Sequence, residues 1–211
     1  MGILSTYAEL KDAVAVYAKR SNASFTAAIP IFVNSAHQTL MRDLDVSLPM
    51  LLATADLTIN AERVSPPSGF RSVVRLHLDR DYDNPLSPTT IELRMREAAV
   101  TTAGPPRLFA LDGDSIAFGP VPDLTYTGKL LYRRAFDFFA SDLATNALLT
   151  RYPMAYLYGA LAEAYGFDKF DEDQAKYVTL FRSEIDKINM AERTFAMGGG
   201  AVTMSPSGPA V

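Results

Sequence analysis

Apolar residues in the first 45 positions recur at steps of three and four, the spacing of helices that bury one face. Thr6 and Glu9 have the spacing of a capping box, which satisfies free backbone amides at a helix start. Turn-forming residues follow at 21–26, and Pro30 suits the first turn of a second helix. The apolar positions are Leu10, Val14, Tyr17, Ala18, Ile29, Val33, Ala36, Leu40 and Leu44. The pattern predicts two helices within residues 1–45.

Residues 46–136 instead show an alternation of period two, which is typical of half-buried strands. The alternation is clear from Val74 to Leu78, from Ile91 to Met95 and from Tyr126 to Tyr132. Asp112-Gly113 lies between two apolar runs and predicts a hairpin, because its tight turn needs a positive φ. Short strands joined by proline-rich loops favour an inserted antiparallel sheet over a βαβ series.

The helical spacing returns in residues 137–196, where Pro153 suits the first position of a helix. That helix is rich in tyrosine and nearly free of charge, and small residues lie opposite its aromatic stripe. A long final helix is predicted over about residues 171–196, with Tyr177, Phe181, Ile185, Ile188, Ala191 and Phe195 as its apolar stripe. The last residues, 197–211, lack periodicity and are rich in glycine, serine and proline, so we expect a flexible segment.

These segments predict an α+β protein. An antiparallel helical bundle is built from both chain ends, residues 1–45 and 137–196. Residues 46–136 form an inserted antiparallel β-sheet module, and residues 197–211 form an extended C-terminal arm.

Composition narrows the possible functions. The chain has 211 residues, and its 48 % hydrophobic and 21 % charged residues are those of a globular protein. A net charge of −4 argues against a protein that binds nucleic acid by neutralising phosphates. The absence of cysteine excludes disulfides, thiolate metal sites and cysteine nucleophiles. No apolar run is long enough for a membrane helix, so no membrane partner is expected.

Candidate chemistry is sparse. His37 and His77 lie on a helical and a strand pattern, where a structural or surface role is the expected one. The segment "DRDYDN" (79–84) spaces its aspartates like a calcium loop, but Asn84 and Thr90 replace the glycine and glutamate that such a loop requires. Residues 198–200 are three glycines without a following Lys-Ser/Thr, so they are not a phosphate loop. We therefore predict no catalytic residue, no metal site and no cofactor.

Three segments resemble the head-to-tail adaptor proteins of tailed bacteriophages. They are "TYAELKDAVAVYAKR" (6–20), "IPIFVNSAHQTLMRDL" (29–44) and "YRRAFDFFASDLATNALLTRYPMAYLYGALAEAYGF" (132–167). Together they cover about half of the chain, and the stretch 146–164 is the most specific part.

The resemblance implies a structural virion protein at the neck, made in the host cytoplasm. Such subunits form a homo-oligomeric ring, dodecameric in the family, below the portal protein. The ring presents a platform for a tail or nozzle protein. It also continues the channel through which DNA passes during genome ejection, without specific binding.

The resemblance also suggests which residues make contacts. The apolar residues of the arm, expected to bind the portal, are Met197, Ala201, Val202, Met204 and Val211. The residues expected to pack between subunits are Tyr156, Gly159, Ala160 and Tyr165. The alternative interpretation is a soluble α+β enzyme or small-molecule-binding domain whose site is not identified.

Overall fold

The computed structural model describes residues 4–45, 47–79, 81–100, 102–167 and 170–196, without the side chains of 98–100. The chain divides into two compact units, one of Met1–Met50 with Phe136–Val211 and the other of Leu51–Ala135. Helices from both chain ends pack together in the first unit, and the inserted segment of the second contains two sheets. The predicted α+β class is therefore confirmed.

The described helices and strands follow one another along the chain with short connections. The helices are α1 (Tyr7–Ala18), α2 (Ala23–Asp43), α3 (Ile91–Val100), α4 (Ala147–Arg151), α5 (Pro153–Phe167) and α6 (Asp171–Ala196), with a 3₁₀ turn at Pro49–Leu51. The strands are β1 (Leu52–Ile59), β2 (Arg63–Val64), β3 (Phe70–Leu78), β4 (Ser87–Pro88), β5 (Leu108–Asp112), β6 (Ser115–Gly119) and β7 (Tyr126–Arg134).

The helical unit is built around α5, which packs against α1, α2, α4 and α6. Its buried stripes match most of the predicted apolar positions of α1 and α2. Along α6 the stripe begins as predicted with Phe181, Ile185 and Ile188, but its last buried residue is Glu192. Phe195, predicted to lie on the buried side, is 69 % exposed. The prediction for the last turns of α6 is therefore wrong.

Side chains fix where the first two helices begin. The predicted capping box is confirmed, since Thr6 Oγ1 accepts from the Glu9 amide and Glu9 Oε2 accepts from the Thr6 amide. Helix α2 begins earlier than predicted, because Asn22 Oδ1 accepts from the Phe25 amide at 2.9 Å. Pro30 therefore lies inside α2 rather than in its first turn. It has no N–H to donate to the carbonyl of Thr26.

The β unit contains one three-stranded sheet, ordered β1-β7-β3, and one four-stranded sheet, ordered β2-β6-β5-β4. All described pairings are antiparallel except the short parallel pair β4·β5. The hairpin predicted at Asp112-Gly113 is confirmed, with Gly113 at φ 58° between β5 and β6. Both sheets contribute to one apolar core, formed by Leu57, Ile59, Leu76, Leu86, Phe109, Ile116, Phe118, Leu130 and Tyr132.

The strand predicted from Ile91 to Met95 is wrong, because these residues belong to helix α3. Thr90 Oγ1 accepts from the Leu93 amide at 3.3 Å and starts the helix. Arg94 is its buried residue, donating Nε–H to the Phe118 carbonyl at 2.9 Å and pairing with Glu62. The apparent alternation arose because a buried arginine reads as polar in the sequence.

Candidate interaction surface

Helix α5 contains the four residues predicted to pack between subunits, and three of them are buried inside their own helical unit. Tyr156 and Ala160 are 0 % exposed. A side chain at Gly159 would place its Cβ 2.7 Å from Ala36 Cβ of α2 and 2.9 Å from the Phe181 ring of α6. The small residue is needed so that both helices can approach α5. Packing within the unit thus accounts for this position, and packing between subunits stays a prediction.

Tyr165, the fourth residue, lies closer to the surface of the unit. It is partly buried, and its ring stacks on Tyr177 of α6 with centroids 5.2 Å apart and planes 6° apart. Tyr158 also contacts Tyr177, with a centroid distance of 6.1 Å. The tyrosines of α5 therefore serve first to join α5 to α6.

The hydroxyl of Tyr156 lies in a buried polar network. It accepts from Asn146 Nδ2 at 3.0 Å, which leaves its proton to be donated to His37 Nδ1 at 2.8 Å. Asn146 also caps α4 by accepting from the Leu149 amide. The network joins α2, α4 and α5, and confirms a structural position for His37. The specific stretch 146–164 thus has a structural task in forming the helical unit.

Burial shifts the titration of both partners in this network. It lowers the pKa of the His37 imidazole, although a hydrogen bond with the Phe136 backbone acts in the opposite direction. Burial also raises the pKa of the Tyr156 hydroxyl. Both shifts favour the uncharged forms, so the network is a neutral one near pH 7.

Polar contacts hold the C-terminal end of α6. Buried Glu192 accepts from Arg151 Nη1 and from the Tyr152 hydroxyl, each at 3.1 Å. Asp45, just beyond α2, accepts from Arg193 Nη2 at 2.6 Å. The Ser47 amide and the Arg193 guanidinium lower the pKa of Asp45 to about 2. These contacts fix the last turns of α6 to the end of α2 and to α4.

The outer face of α2 has no formal charge over five turns. The sequence from Ser21 to Met41 contains no Asp, Glu, Lys or Arg. The exposed positions at steps of three and four residues form one stripe, which we call the α2 outer face: Ser24, Ala27, Ile31, Asn34 and Gln38. Ile31 at its centre is 68 % exposed. A surface with an exposed apolar centre and no charge has the composition of an interface core.

The outer face of α6 is of the opposite kind. Charged residues of both signs are exposed along it: Asp171, Glu172, Asp173, Lys176, Arg182, Asp186, Lys187 and Arg193. Met190 is 70 % exposed among them. A face of this composition is suited to water.

Sequence reasoning missed the α2 outer face, although its signal was present. The charge-free run from Ser21 to Met41 is visible in the sequence, but only its buried positions were interpreted. A surface helix of this length ordinarily carries charges on its outer side. The same run does not qualify as a membrane span, and no described helix is long and apolar enough to cross a bilayer.

The β unit offers a groove of about 500 Å³, lined mainly by apolar residues of β3, β5, β7 and the segment 85–88. Its charged lining residue is Arg75, which stacks on Tyr82 and donates to the Tyr82 carbonyl. A reaction site would need several titratable groups to converge, and the lining of this groove does not provide them. Within the described ranges, no group of three or more His, Asp or Glu residues is placed to hold a metal ion.

The predicted arm residues Met197, Ala201, Val202, Met204 and Val211 lie outside the residues that the structure describes. Their predicted contact with a portal therefore stays a prediction.

Comparison with known proteins gives one match. A protein-family model described as SU10 adaptor protein matches residues 5–204. The match spans the helical segments of both chain ends together with the β-rich insertion between them. No curated protein matches the chain.

Proposed function

Because the chain belongs to the SU10 adaptor protein family, a family of phage head-to-tail adaptors, we propose that it forms a ring between the portal and the tail. Membership confirms the resemblance seen in the sequence. It implies a structural role in the neck of the virion. The single observation that carries the proposal is the match over residues 5–204, which covers nearly the whole chain.

The ring is homo-oligomeric and dodecameric, with each subunit contacting its two neighbours through different surfaces. Rotational rings require such heterologous contacts. The α2 outer face supplies one of them, since it is uncharged and presents Ile31. Of the four α5 residues first expected at this contact, only Tyr165 retains exposed surface, so α2 is the better candidate.

DNA passes through the centre of the ring without adhering to it. A net charge of −4 supports this, because tight binding to duplex DNA requires a basic surface. The mixed charges on the α6 outer face also suit a solvated surface. The purified protein should therefore show no tight binding of short duplex DNA at physiological salt, as measured by fluorescence anisotropy. Tight binding under those conditions contradicts this part of the proposal.

The arm, residues 197–211, attaches the ring to the portal. Its methionines and small apolar residues can adapt to a partner surface, and ordering them costs roughly 1–2 kcal/mol of backbone entropy per residue. Deleting residues 197–211 should leave the melting temperature nearly unchanged and abolish attachment to portal-bearing capsids. If the truncated protein attaches with full affinity, the arm is not the anchor.

The β unit, Leu51–Ala135, has its own apolar core, so we infer that it is a side module that contacts a tail or nozzle protein. Replacing it with a short linker should preserve the helical circular-dichroism signal of the remaining chain. Loss of that signal contradicts a modular insertion.

Imaging of the protein with its portal tests the proposed function as a whole. The purified chain, mixed with the portal of the same phage, should give dodecameric rings stacked on the portal in negative-stain images. The portal alone is the control. A chain that stays monomeric and never contacts the portal would contradict the adaptor role and favour the small-molecule-binding alternative.

A further inference from the structure

Strand β1 forms one edge of the three-stranded sheet, and its free side can be identified residue by residue. The Asp79 amide donates to the Thr127 carbonyl, and the Ala135 amide donates to the Gly69 carbonyl, both at 2.7 Å. Backbone groups of alternate residues point to opposite sides of a strand. Odd-numbered residues of β7 therefore face β3, and its even-numbered residues face β1.

The register of β1 with β7 then gives the direction of each β1 residue. Ala53, Ala55, Leu57 and Ile59 stand opposite the even-numbered β7 residues and bond to them. Leu52, Thr54, Asp56 and Thr58 consequently direct their N–H and C=O groups away from the sheet. The pairing has no register shift over its whole length, so these groups form one straight row. Within the described residues, none of them has a hydrogen-bond partner.

The opposite edge of the same sheet, β3, is closed. Its pairing with β7 contains two register shifts, between Phe70 and Ser72 and between Val73 and Arg75. The carbonyls of Leu76 and Leu78 already accept from the amides of Leu86 and Asp81. Bulges and covering segments are the usual protection of an edge against pairing. Continuation of the sheet from β1 of one copy onto β3 of another is therefore disfavoured.

Strand β1 itself has no such protection. Its sequence, LATADLTI, contains no proline, glycine, lysine or arginine. Asp56 is its only charged residue, and Lys129 of β7 neutralises it at 2.8 Å. A long, regular and nearly neutral edge is a template for another strand.

We propose that β1 pairs with β1 of a second copy of this chain, antiparallel, about a two-fold axis at Ala55. This register places Thr54 opposite Asp56 of the second copy and Leu52 opposite Thr58. All four outward residues of each strand then take part, giving about eight backbone hydrogen bonds. Asp56 meets a threonine hydroxyl, whereas a shift by one residue in each strand would place it opposite the Asp56 of the second copy.

The buried sides of the two strands match in the same register. Ala55 lies opposite its own counterpart, and Ala53 lies opposite Leu57, so the apolar face continues across the axis. These alanines and Leu57 already pack on or against the core of the β unit. The contact is two-fold and closes on itself, unlike the heterologous contacts of a ring. It describes the free protein and does not rest on the proposed ring.

Single cysteines test the axis directly, because the chain has no native cysteine. The two Ala55 residues form a non-hydrogen-bonded pair, about 4.5 Å apart between Cα atoms. That separation lies within the range a disulfide spans. The variant Ala55→Cys should form a covalent dimer under mild oxidation, seen on a non-reducing gel. Ala53→Cys is the matched control, since its own counterpart would lie about 13 Å away, and it should stay monomeric.

A proline substitution tests the hydrogen bonds. Thr54→Pro removes an outward N–H and leaves the β1·β7 bonds in place, whereas Thr54→Ala keeps that N–H. Sedimentation should show a dimer for the wild type and for Thr54→Ala. For Thr54→Pro the dimer dissociation constant should rise about tenfold or more.

Three results would overturn the pairing. One is a wild type that stays monomeric at tens of micromolar. Another is a dimer unaffected by Thr54→Pro in a variant that circular dichroism shows to be folded. The third is disulfide formation by Asp56→Cys or Ala53→Cys in preference to Ala55→Cys, which would show a different register.

Discussion

Helices α2 and α6 both bury one face against α5, but their outer faces differ. Each presents one large apolar side chain to solvent, Ile31 at 68 % and Met190 at 70 % exposure. Around Ile31 the surface is free of formal charge, whereas Met190 lies among charged residues of both signs. Exposure of a single apolar residue therefore does not distinguish the two faces. The charge around it does, because an interface core must be desolvated and unpaired charges resist that.

The largest expected effect comes from placing a charge at the centre of the α2 outer face. Ile31→Lys would bury an unpaired ammonium at each contact, at a cost of about 3 kcal/mol or more. Assembly with the portal should weaken at least about a hundredfold, as measured by native mass spectrometry across a concentration series.

The matched control is Met190→Lys on α6, at nearly the same exposure. It should assemble like the wild type, because the α6 outer face stays in water. Equal loss of assembly in both variants would show that charge pattern does not separate the two faces.

A substitution at Gly159 tests what α2 and α6 share. In an open helix, Gly→Ala stabilises by about 1 kcal/mol. Here the added Cβ meets Ala36 Cβ at 2.7 Å and the Phe181 ring at 2.9 Å, so Gly159→Ala should instead destabilise by about 1–3 kcal/mol. Urea unfolding measures this. Gly104→Ala, whose nearest neighbour would be 4.0 Å away, serves as control. A stabilised Gly159→Ala variant would contradict close packing of both helices on α5.

Most of the fold could be predicted from the sequence, because local periodicity and capping decide it. The capping box at Thr6, the hairpin at Gly113 and the helix start at Pro153 are local features, and all three are confirmed. The failures involve polar residues that tertiary structure buries. Arg94 and Glu192 are almost fully buried through ion pairs with Glu62 and Arg151. No periodic pattern reveals such pairs.

The candidate interaction surface was predicted less well. Small residues on α5 were interpreted as contacts between subunits, but Gly159 and Ala160 are buried within the unit. A sequence shows that a helix approaches something closely, and it does not show whether the neighbour belongs to the same chain. The free edge of β1 also depends on sheet order, which periodicity does not determine.

The smallest expected effect concerns the anchor between the end of α2 and α6. The pKa of Asp45 is lowered to about 2 in the folded state, so its stabilisation is present above pH 4 and is lost as pH falls towards 2. Asp45→Asn should cost less than about 1 kcal/mol at pH 7, because the pair is near the surface. The difference from wild type should vanish at about pH 2 in thermal unfolding. Asp186→Asn on the α6 outer face is the control and should follow the wild type throughout. A constant difference across this pH range would contradict the Asp45 assignment.

Cysteine labelling tests the contrast between the two outer faces most directly. Asn34→Cys on α2 and Asp186→Cys on α6 each introduce the only thiol in the chain. Both positions are exposed in the single subunit, so both should react rapidly with a maleimide in the free protein. After assembly on the portal, the cysteine at position 34 should be protected and the one at 186 should react as before. Undiminished labelling at position 34 in the assembled complex would contradict the account.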